Sequence, residues 1–385
     1  MMRRLPVFLA SRLMPKTPKD SSHQPDDLLY KRRVQNLEHA LADLKLDSIL
    51  LTHLHNIRYL CGFTGSNGLL LSIRGRRTFF TDGRYTEQAA QEVRGAKVVI
   101  AKGSLMQEAA RHIAAAKITR FGFEADRLSV TAHQALQKVL PKTVKVVPTA
   151  SVVDRIRMVK DDHELTLIKE AVVLGSDLLT PAIETIRPGI RESEVAAEIE
   201  YAARRWGAEA MSFETIVAAG VRSALPHGRA SNALIPKRGF VILDLGVILH
   251  GYCSDMTRTV HVGPVPKRSK EIYQAVLAAQ EAAVEAVAPG VTAGEVDLAA
   301  RSVLKKAKLD RYFIHSTGHG VGMEIHEQPR IAREQSEVLK PGMVITIEPG
   351  VYLPGEGGVR IEDMVVVTER GHHVLTLATK ELLEL

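Results

Sequence analysis

Five side chains in the second half of the chain have the types and spacing of a metal centre. Asp244 sits inside the apolar run Val241-Ile242-Leu243-Asp244-Leu245, and Asp255 follows a tight turn expected at His250-Gly251. A buried, unpaired carboxylate is costly, so each acid needs a partner, a proton or a metal. For two acids alone, structural salt bridges serve equally well. The pattern returns, however: Val344-Ile345-Thr346-Ile347-Glu348 echoes the first strand, and the segment with Glu362 echoes the one with Asp255. Four carboxylates in one place repel unless cations sit between them. His319, in Thr-Gly-His-Gly, adds a nitrogen where flanking glycines let the backbone pass close to a site. An oxygen-rich set with one nitrogen suits two divalent ions such as Mn²⁺, Co²⁺, Fe²⁺ or Zn²⁺ and argues against a thiolate-type site. Two such ions about 3.5–4 Å apart polarise a carbonyl and make a nucleophile available at neutral pH.

The elements that must position these residues form an internal repeat. Pro188-Gly189-Ile190 followed by Glu194-Val195 returns as Pro289-Gly290-Val291 followed by Glu295-Val296. Two half-domains packed face to face would bring all four carboxylates together. The helices of this region are expected at 161–186, 191–206, 267–287 and 294–307, within one domain spanning 154–385. Ahead of it, helices at 27–45, 84–92, 104–116 and 130–139 alternate with strands at 48–52, 68–73, 77–81, 97–101, 119–123 and 144–148. That alternation predicts a small α/β domain with a mostly parallel sheet over 27–150. The glycine-rich turn from Gly62 to Gly68 lacks the lysine of a phosphate loop. Residues 1–26 read as a disordered basic extension.

Composition narrows the class further. In 385 residues, 45% are hydrophobic and 25% charged, ordinary for a globular protein. No apolar run is long enough to span a membrane. Cys61 and Cys253 lie far apart, giving no disulfide framework, which suits a reducing, cytoplasmic compartment. A net charge of +7 and a pI near 9.3 raise the question of nucleic acid. Part of the excess lies at Arg3, Arg4, Arg12, Lys16 and Lys19, and no binding motif accompanies it, so neither a nucleic-acid nor a membrane partner is expected.

The motifs together resemble the pita-bread metallopeptidases that cleave bonds involving proline, namely Xaa-Pro aminopeptidases and Xaa-Pro dipeptidases (prolidases). The matching stretches are Leu-Pro-His-Gly at 225–228, Leu-Asp-Leu-Gly at 243–246, Cys-Ser-Asp-Met-Thr-Arg-Thr at 253–259, His-Ser-Thr-Gly-His-Gly-Val-Gly at 315–322, Ile-His-Glu at 325–327, Ile-Glu-Pro-Gly at 347–350 and Val-Arg-Ile-Glu-Asp at 359–363. Phe-Thr-Gly-Ser-Asn-Gly at 63–68 and Thr-Asp-Gly-Arg-Tyr at 81–85 are similar to that family's N-terminal domain. The resemblance implies a fold of two parts: an α/β N-terminal domain of the creatinase type and an α+β pita-bread domain with a pseudo-twofold repeat.

It also implies roles. Asp244 would hold one metal, His319 and Glu348 the other, and Asp255 and Glu362 both, with Mn²⁺ the favoured ion and Glu348 the proton acceptor. His227, His315 and His326 would face the substrate, Arg360 would orient a ligand through a salt bridge, and Arg258 could act similarly. The substrate would be a peptide with an Xaa-Pro N-terminus, and the assembly a homodimer or dimer of dimers. Between the two activities the aminopeptidase is favoured, from the form of the N-terminal motifs and the short chain. A dipeptidase needs a cation for the free carboxylate beyond proline, and Arg84 of a partner subunit is one candidate. A methionine aminopeptidase, a metal-free creatine hydrolase or a non-catalytic binding protein fits less well, since the first lacks the N-terminal domain and the other two need no full ligand set.

Overall fold

A computed structural model describes residues 27–385; the basic extension expected at 1–26 lies outside the described residues. The N-terminal part begins with α1 (Asp27–Asp43), β1 (Ser48–Leu51), α2 (Leu54–Cys61), β2 (Leu69–Ile73) and β3 (Arg76–Asp82). It continues with α3 (Thr86–Glu92), β4 (Lys97–Ala101), α4 (Leu105–Ala115), β5 (Arg120–Glu124), α5 (Val130–Val139) and β6 (Lys145–Thr149). The strands form one six-stranded sheet in the order β4-β3-β2-β1-β5-β6. Its outer pairs β3–β4, β1–β5 and β5–β6 are parallel, and the β1–β2–β3 meander at its centre is antiparallel. The short helix α2 is absent from the sequence reading. Its eight residues carry Ile57, Tyr59, Leu60 and Cys61 into the core, an apolar cluster too short to show a helical period.

That helix has no capping side chain at its own N-cap, His53. Glu124, at the end of β5, supplies the cap from across the sheet. Its buried carboxylate accepts from Thr52 N (2.6 Å), His53 N (2.9 Å) and Asn56 Nδ2 (2.7 Å). Asn56 Oδ1 in turn accepts from Arg157 Nη1 at 2.7 Å, which joins the N-terminal part to the rest of the chain. Arg33 of α1 makes a second tie, reaching Asp161 at 2.8 Å. A single apolar cluster runs across this junction, with Leu37, Ile57 and Phe79 packed together with Ile168, Val172 and Tyr252.

The second part comprises α6 (Val152–Arg157), α7 (Asp162–Asp177), α8 (Leu179–Thr185), α9 (Glu192–Arg205), β7 (Ala210–Met211), β8 (Ile216–Ala219), β9 (Gly239–Leu245), β10 (Val247–Leu249), β11 (Tyr252–Cys253) and β12 (Met256–Val262). There follow α10 (Lys267–Glu285), α11 (Ala293–Lys306), β13 (Gly318–Gly320), β14 (Glu327–Ile331), β15 (Val344–Ile347), β16 (Gly350–Leu353), β17 (Gly357–Arg360), β18 (Asp363–Thr368) and β19 (Gly371–Val374). The helix expected over 161–186 is broken at Leu178. Pro181 offers no N–H to the Asp177 carbonyl, and its ring crowds that carbonyl.

The repeat is real in the hydrogen bonds. Gly189 N donates to Ile235 O and Gly290 N to Leu339 O, both at 2.9 Å, and both glycines hold nearly the same positive φ, 88° and 89°. Helices α8 and α9 cover β8, β9 and β12, while α10 and α11 cover β15 and β18. The pleat then aims the acids. Val241, Leu243 and Leu245 of β9 face α8 and α9, so Asp244 points to the opposite side. Ile345 and Ile347 of β15 face α10 and α11, so Glu348 also turns away from its helices. Asp255 and Glu362 occupy matching places, one residue ahead of β12 and of β18. The turn at His250-Gly251 has φ of 51° and 79°, a left-handed hairpin turn that connects β10 to β11.

Replacing Glu124 with alanine leaves three donors without their acceptor, the half-buried Thr52 N and His53 N and the buried Asn56 Nδ2. We expect Glu124→Ala to lower stability by about 3 kcal/mol, read from the urea midpoint of unfolding. A loss below about 1 kcal/mol would mean that α2 is capped by water instead.

Candidate metal centre and active-site cleft

One cleft, about 800 Å³ in volume, is lined by Asp244, Asp255, His319, Glu348 and Glu362, and also by His227, His315, His326 and Arg360. Residues more than a hundred positions apart in sequence therefore face a common space.

His319 sets the chemistry of that space. Its Nδ1 lies 3.0 Å from the carbonyl of Gly320, an acceptor only, so Nδ1 carries the proton and Nε2 presents a lone pair. That lone pair faces Glu348 Oε1 at 3.5 Å and Asp255 Oδ2 at 3.6 Å. Donor atoms of Asp255, His319 and Glu362 lie within 4.8 Å of one another. Asp244 Oδ1 is buried with no hydrogen-bond partner. Acceptors thus face acceptors, a repulsive arrangement that a cation between them resolves. Without one, only protons relieve it. Burial, then the charges of Glu362, Asp244 and Glu348, drives Asp255 well above the usual carboxylate range. Burial does the same to Glu362 and pushes Glu348 up to about 8. Burial pulls His319 down to about 4, so its ring is neutral and able to ligate at neutral pH. The donor set therefore fits divalent metal.

Two glycines make this convergence feasible. A Cβ on Gly318 would lie 1.9 Å from Thr346 O, and one on Gly320 would lie 2.1 Å from Gln328 O. Only glycine lets β13 pass between β14 and β15 and deliver His319.

Arg360 holds two of the acids from behind. Its Nη2 donates to Asp244 Oδ2, Nη1 to Tyr352 Oη at 2.7 Å and to Pro226 O at 3.0 Å, and Nε to Thr257 Oγ1 at 3.0 Å. Thr257 passes the chain on by donating to Glu362 Oε2 at 2.7 Å. Arg360 thus orients Asp244 directly and Glu362 through Thr257. Arg258 behaves differently. It donates to Asp363 Oδ1 and to the carbonyls of Glu362, Ala378 and Thr379, so it clamps the C-terminal segment and does not face the cleft.

The three histidines divide. His227 and His326 are exposed along the cleft, and the His326 ring meets that of His319 edge-on at 4.5 Å between centroids. His315 is held inside a chain of hydrogen bonds: its Nδ1 donates to Ser316 O at 2.8 Å, and Nε2 accepts from Tyr352 Oη at 2.9 Å. Both ring nitrogens are occupied, so His315 anchors Tyr352. Tyr352 was not foreseen, because an aromatic residue in the apolar run Gly-Val-Tyr-Leu reads as core.

Arg330 was also missed. It lies on β14 directly opposite His319, which places both side chains on one face, and it lines the cleft without an ion pair among the described residues. Its four-residue offset from His326 was the available signal. Arg84 donates to both carboxylate oxygens of Asp82, each at 2.9 Å, so within its own chain this candidate cation is already paired.

Arg360→Lys keeps the charge but loses the planar fork. We expect Mn²⁺ affinity to fall about tenfold or more, measured by titration of the metal-stripped protein. Unchanged affinity would deny Arg360 a part in orienting the ligands.

Comparison with known proteins agrees with this geometry. The Metallopeptidase family M24 sequence model matches residues 166–369, and that of the Creatinase/Prolidase N-terminal domain matches residues 33–159. The Xaa-Pro dipeptidase of Pyrococcus furiosus is 50% identical over 232 residues, covering 60% of this chain and 67% of that protein. The solved structure of the Xaa-Pro dipeptidase from Bacillus anthracis superposes with a TM-score of 0.90 at 41% identity, over 92% of this chain and 100% of that one. The X-Pro aminopeptidase from Thermotoga maritima superposes with a TM-score of 0.84 at 34% identity, over 90% and 100% of the two chains. With its buried acids and histidine gathered in one cleft and these likenesses along nearly its whole described length, the chain belongs to metallopeptidase family M24 and is a peptide hydrolase.

Proposed function

We propose that the protein is an Xaa-Pro dipeptidase, working with two divalent ions held by Asp244, Asp255, His319, Glu348 and Glu362. The observation that carries the dipeptidase reading is Arg330. A dipeptide ends in a free carboxylate just beyond proline, and an unpaired guanidinium facing the same side as His319 is suited to hold it. Higher identity to the named dipeptidases than to the named aminopeptidase supports the same choice. The sequence motifs alone favoured the aminopeptidase, and the likeness to the Thermotoga maritima enzyme keeps it as the second reading.

The bound ions supply Lewis acidity to the scissile carbonyl. Glu348 accepts the proton of the attacking water. His326, exposed on the cleft with its ring edge-on to that of His319, donates an N–H to the oxygen on which charge develops. His227, which lines the same cleft, helps to hold the substrate. Proline brings no N–H to its peptide bond, so recognition rests on the carboxylate and the ring. We assign Mn²⁺ as the ion, because hard oxygen donors dominate the set. A homodimer is part of the proposal, supported by exposed apolar side chains at Val221, Leu225 and Leu234 in the segment that carries His227. Cytoplasmic location is supported by the two unpaired buried cysteines.

The test compares kcat/KM for an Xaa-Pro dipeptide and an Xaa-Pro-Xaa tripeptide in the presence of Mn²⁺. The dipeptide should be strongly preferred; efficient cleavage of the tripeptide returns the enzyme to the aminopeptidases. Arg330→Met should raise KM for the dipeptide tenfold or more with a smaller change in kcat, tenfold being about 1.4 kcal/mol. Removing the metal with a chelator should abolish activity, and Mn²⁺ or Co²⁺ should restore it. His326→Ala should keep both metals and lose about 10²–10³ in kcat. A normal rate would leave His326 a purely structural residue.

A further inference from the structure

A second cluster of metal-type donors lies outside the catalytic set. His53 and His55 stand at the start of α2, and Glu324 comes from the loop that leads to His326. One donor atom from each of the three lies within 4.8 Å of the other two. The imidazole rings are 5.0 Å apart between centroids. His53 Nε2 and His55 Nδ1 are both buried, and neither has a hydrogen-bond partner.

The contact between His53 and Glu324 is the unusual one. Nε2 and Oε2 are 3.0 Å apart, an ion-pair distance when the ring is protonated and close to a shared-ligand distance when it is not. Two ligands on one ion stand at about this separation: bonds of about 2.0–2.2 Å in tetrahedral geometry put donor atoms roughly 3.3–3.5 Å apart. His55 is pulled down to about 4 by burial, so its ring is neutral and keeps a lone pair at physiological pH.

The surroundings orient the carboxylate as outer partners of a metal ligand do. Arg157 Nη1 donates to Glu324 Oε2 at 3.0 Å, which leaves that oxygen a second lone pair, and Arg127 lies 3.5 Å from Oε1. The two guanidinium charges are themselves offset. Arg157 pairs with Glu327, and Arg127 with Asp154 at 3.3 Å. The backbone N–H of His53 is fixed by Glu124 at 2.9 Å. The site is therefore built from both ends, and it shares no residue with the catalytic set.

We propose that His53, His55 and Glu324 bind a third metal ion, a single borderline transition metal of the Zn²⁺ class, which ties the N-terminal part of the chain to the loop carrying His326. Two imidazoles and one carboxylate match Zn²⁺ and leave a fourth position for water. Glu324 is two residues from His326, so the ion would hold that loop against α2.

The full-length protein is stripped with a chelator, incubated with excess Zn²⁺, desalted and analysed for zinc per chain by mass spectrometry. The wild type should retain one equivalent more than His53→Ala and one more than His55→Gln, which keeps polarity and size. The count is a difference, so it reads this site whatever the catalytic centre retains. Circular dichroism selects folded variants, and His55→Gln serves if His53→Ala unfolds. Equal zinc in the wild type and a folded variant overturns the proposal, because the cluster is then an ordinary charge contact.

Discussion

Asp244, Asp255, Glu348 and Glu362 share one cleft with a neutral His319, and that much buried acceptor character is tolerable only with positive charge among it. Most of the catalytic half follows from this constraint. The strands must bring the acids in from two directions, because one strand offers only alternate residues to a face. The repeat supplies those directions with two sheets of the same design. Each acid then needs an outer partner that fixes the oxygen it presents. Arg360 and Thr257 do this for Asp244 and Glu362, and Thr346 lies beside Glu348 at 3.4 Å. Donors behind Asp244, Glu362 and Glu348 offset part of the electrostatic cost, and the remaining acceptor atoms fit divalent metal.

The N-terminal part is joined to this centre by charge as well as by apolar packing. A line of ionic and amide groups runs from Glu124 through Asn56 and Arg157 to Glu324 and Glu327. Burial makes such a line demanding, since each member left unpaired costs stability. In return the line fixes the approach of the loop that carries His326. The junction therefore bears on the cleft even though none of its N-terminal members belongs to the set of Asp244, Asp255, His319, Glu348 and Glu362.

Much of this was legible in the sequence, and the failures have physical reasons. The strands of the N-terminal part, the acid-bearing strands of the second part and the doubled Pro-Gly pattern could be read because local periodicity and turn chemistry dictate them. Helix α2 escaped because its cap is Glu124, some seventy residues away in sequence. The long helix expected over 161–186 breaks at Leu178, because Pro181 has no N–H with which to continue it. In the cleft, the acids and His319 stood out because polar residues in apolar strands are anomalous. Tyr352 and Arg330 did not stand out, because neither is anomalous where it sits.

What the sequence determined by itself was a list: the four carboxylates, His319, the arginine two residues before Glu362, and the duplicated frame that could gather them, while His227, His315 and His326 entered through the family resemblance. Their types and spacing name a class of chemistry, since ligand preference is a property of the side chains. What only the tertiary structure decided was direction. The Gly320 carbonyl selects the proton position on His319, Tyr352 occupies His315, Arg258 turns to the C-terminal segment, and Arg330 stands opposite His319 across a strand pair. These are contacts between groups distant along the chain. No local rule encodes them, because each depends on which strands pair, in what register, and on where a glycine allows two backbones to meet.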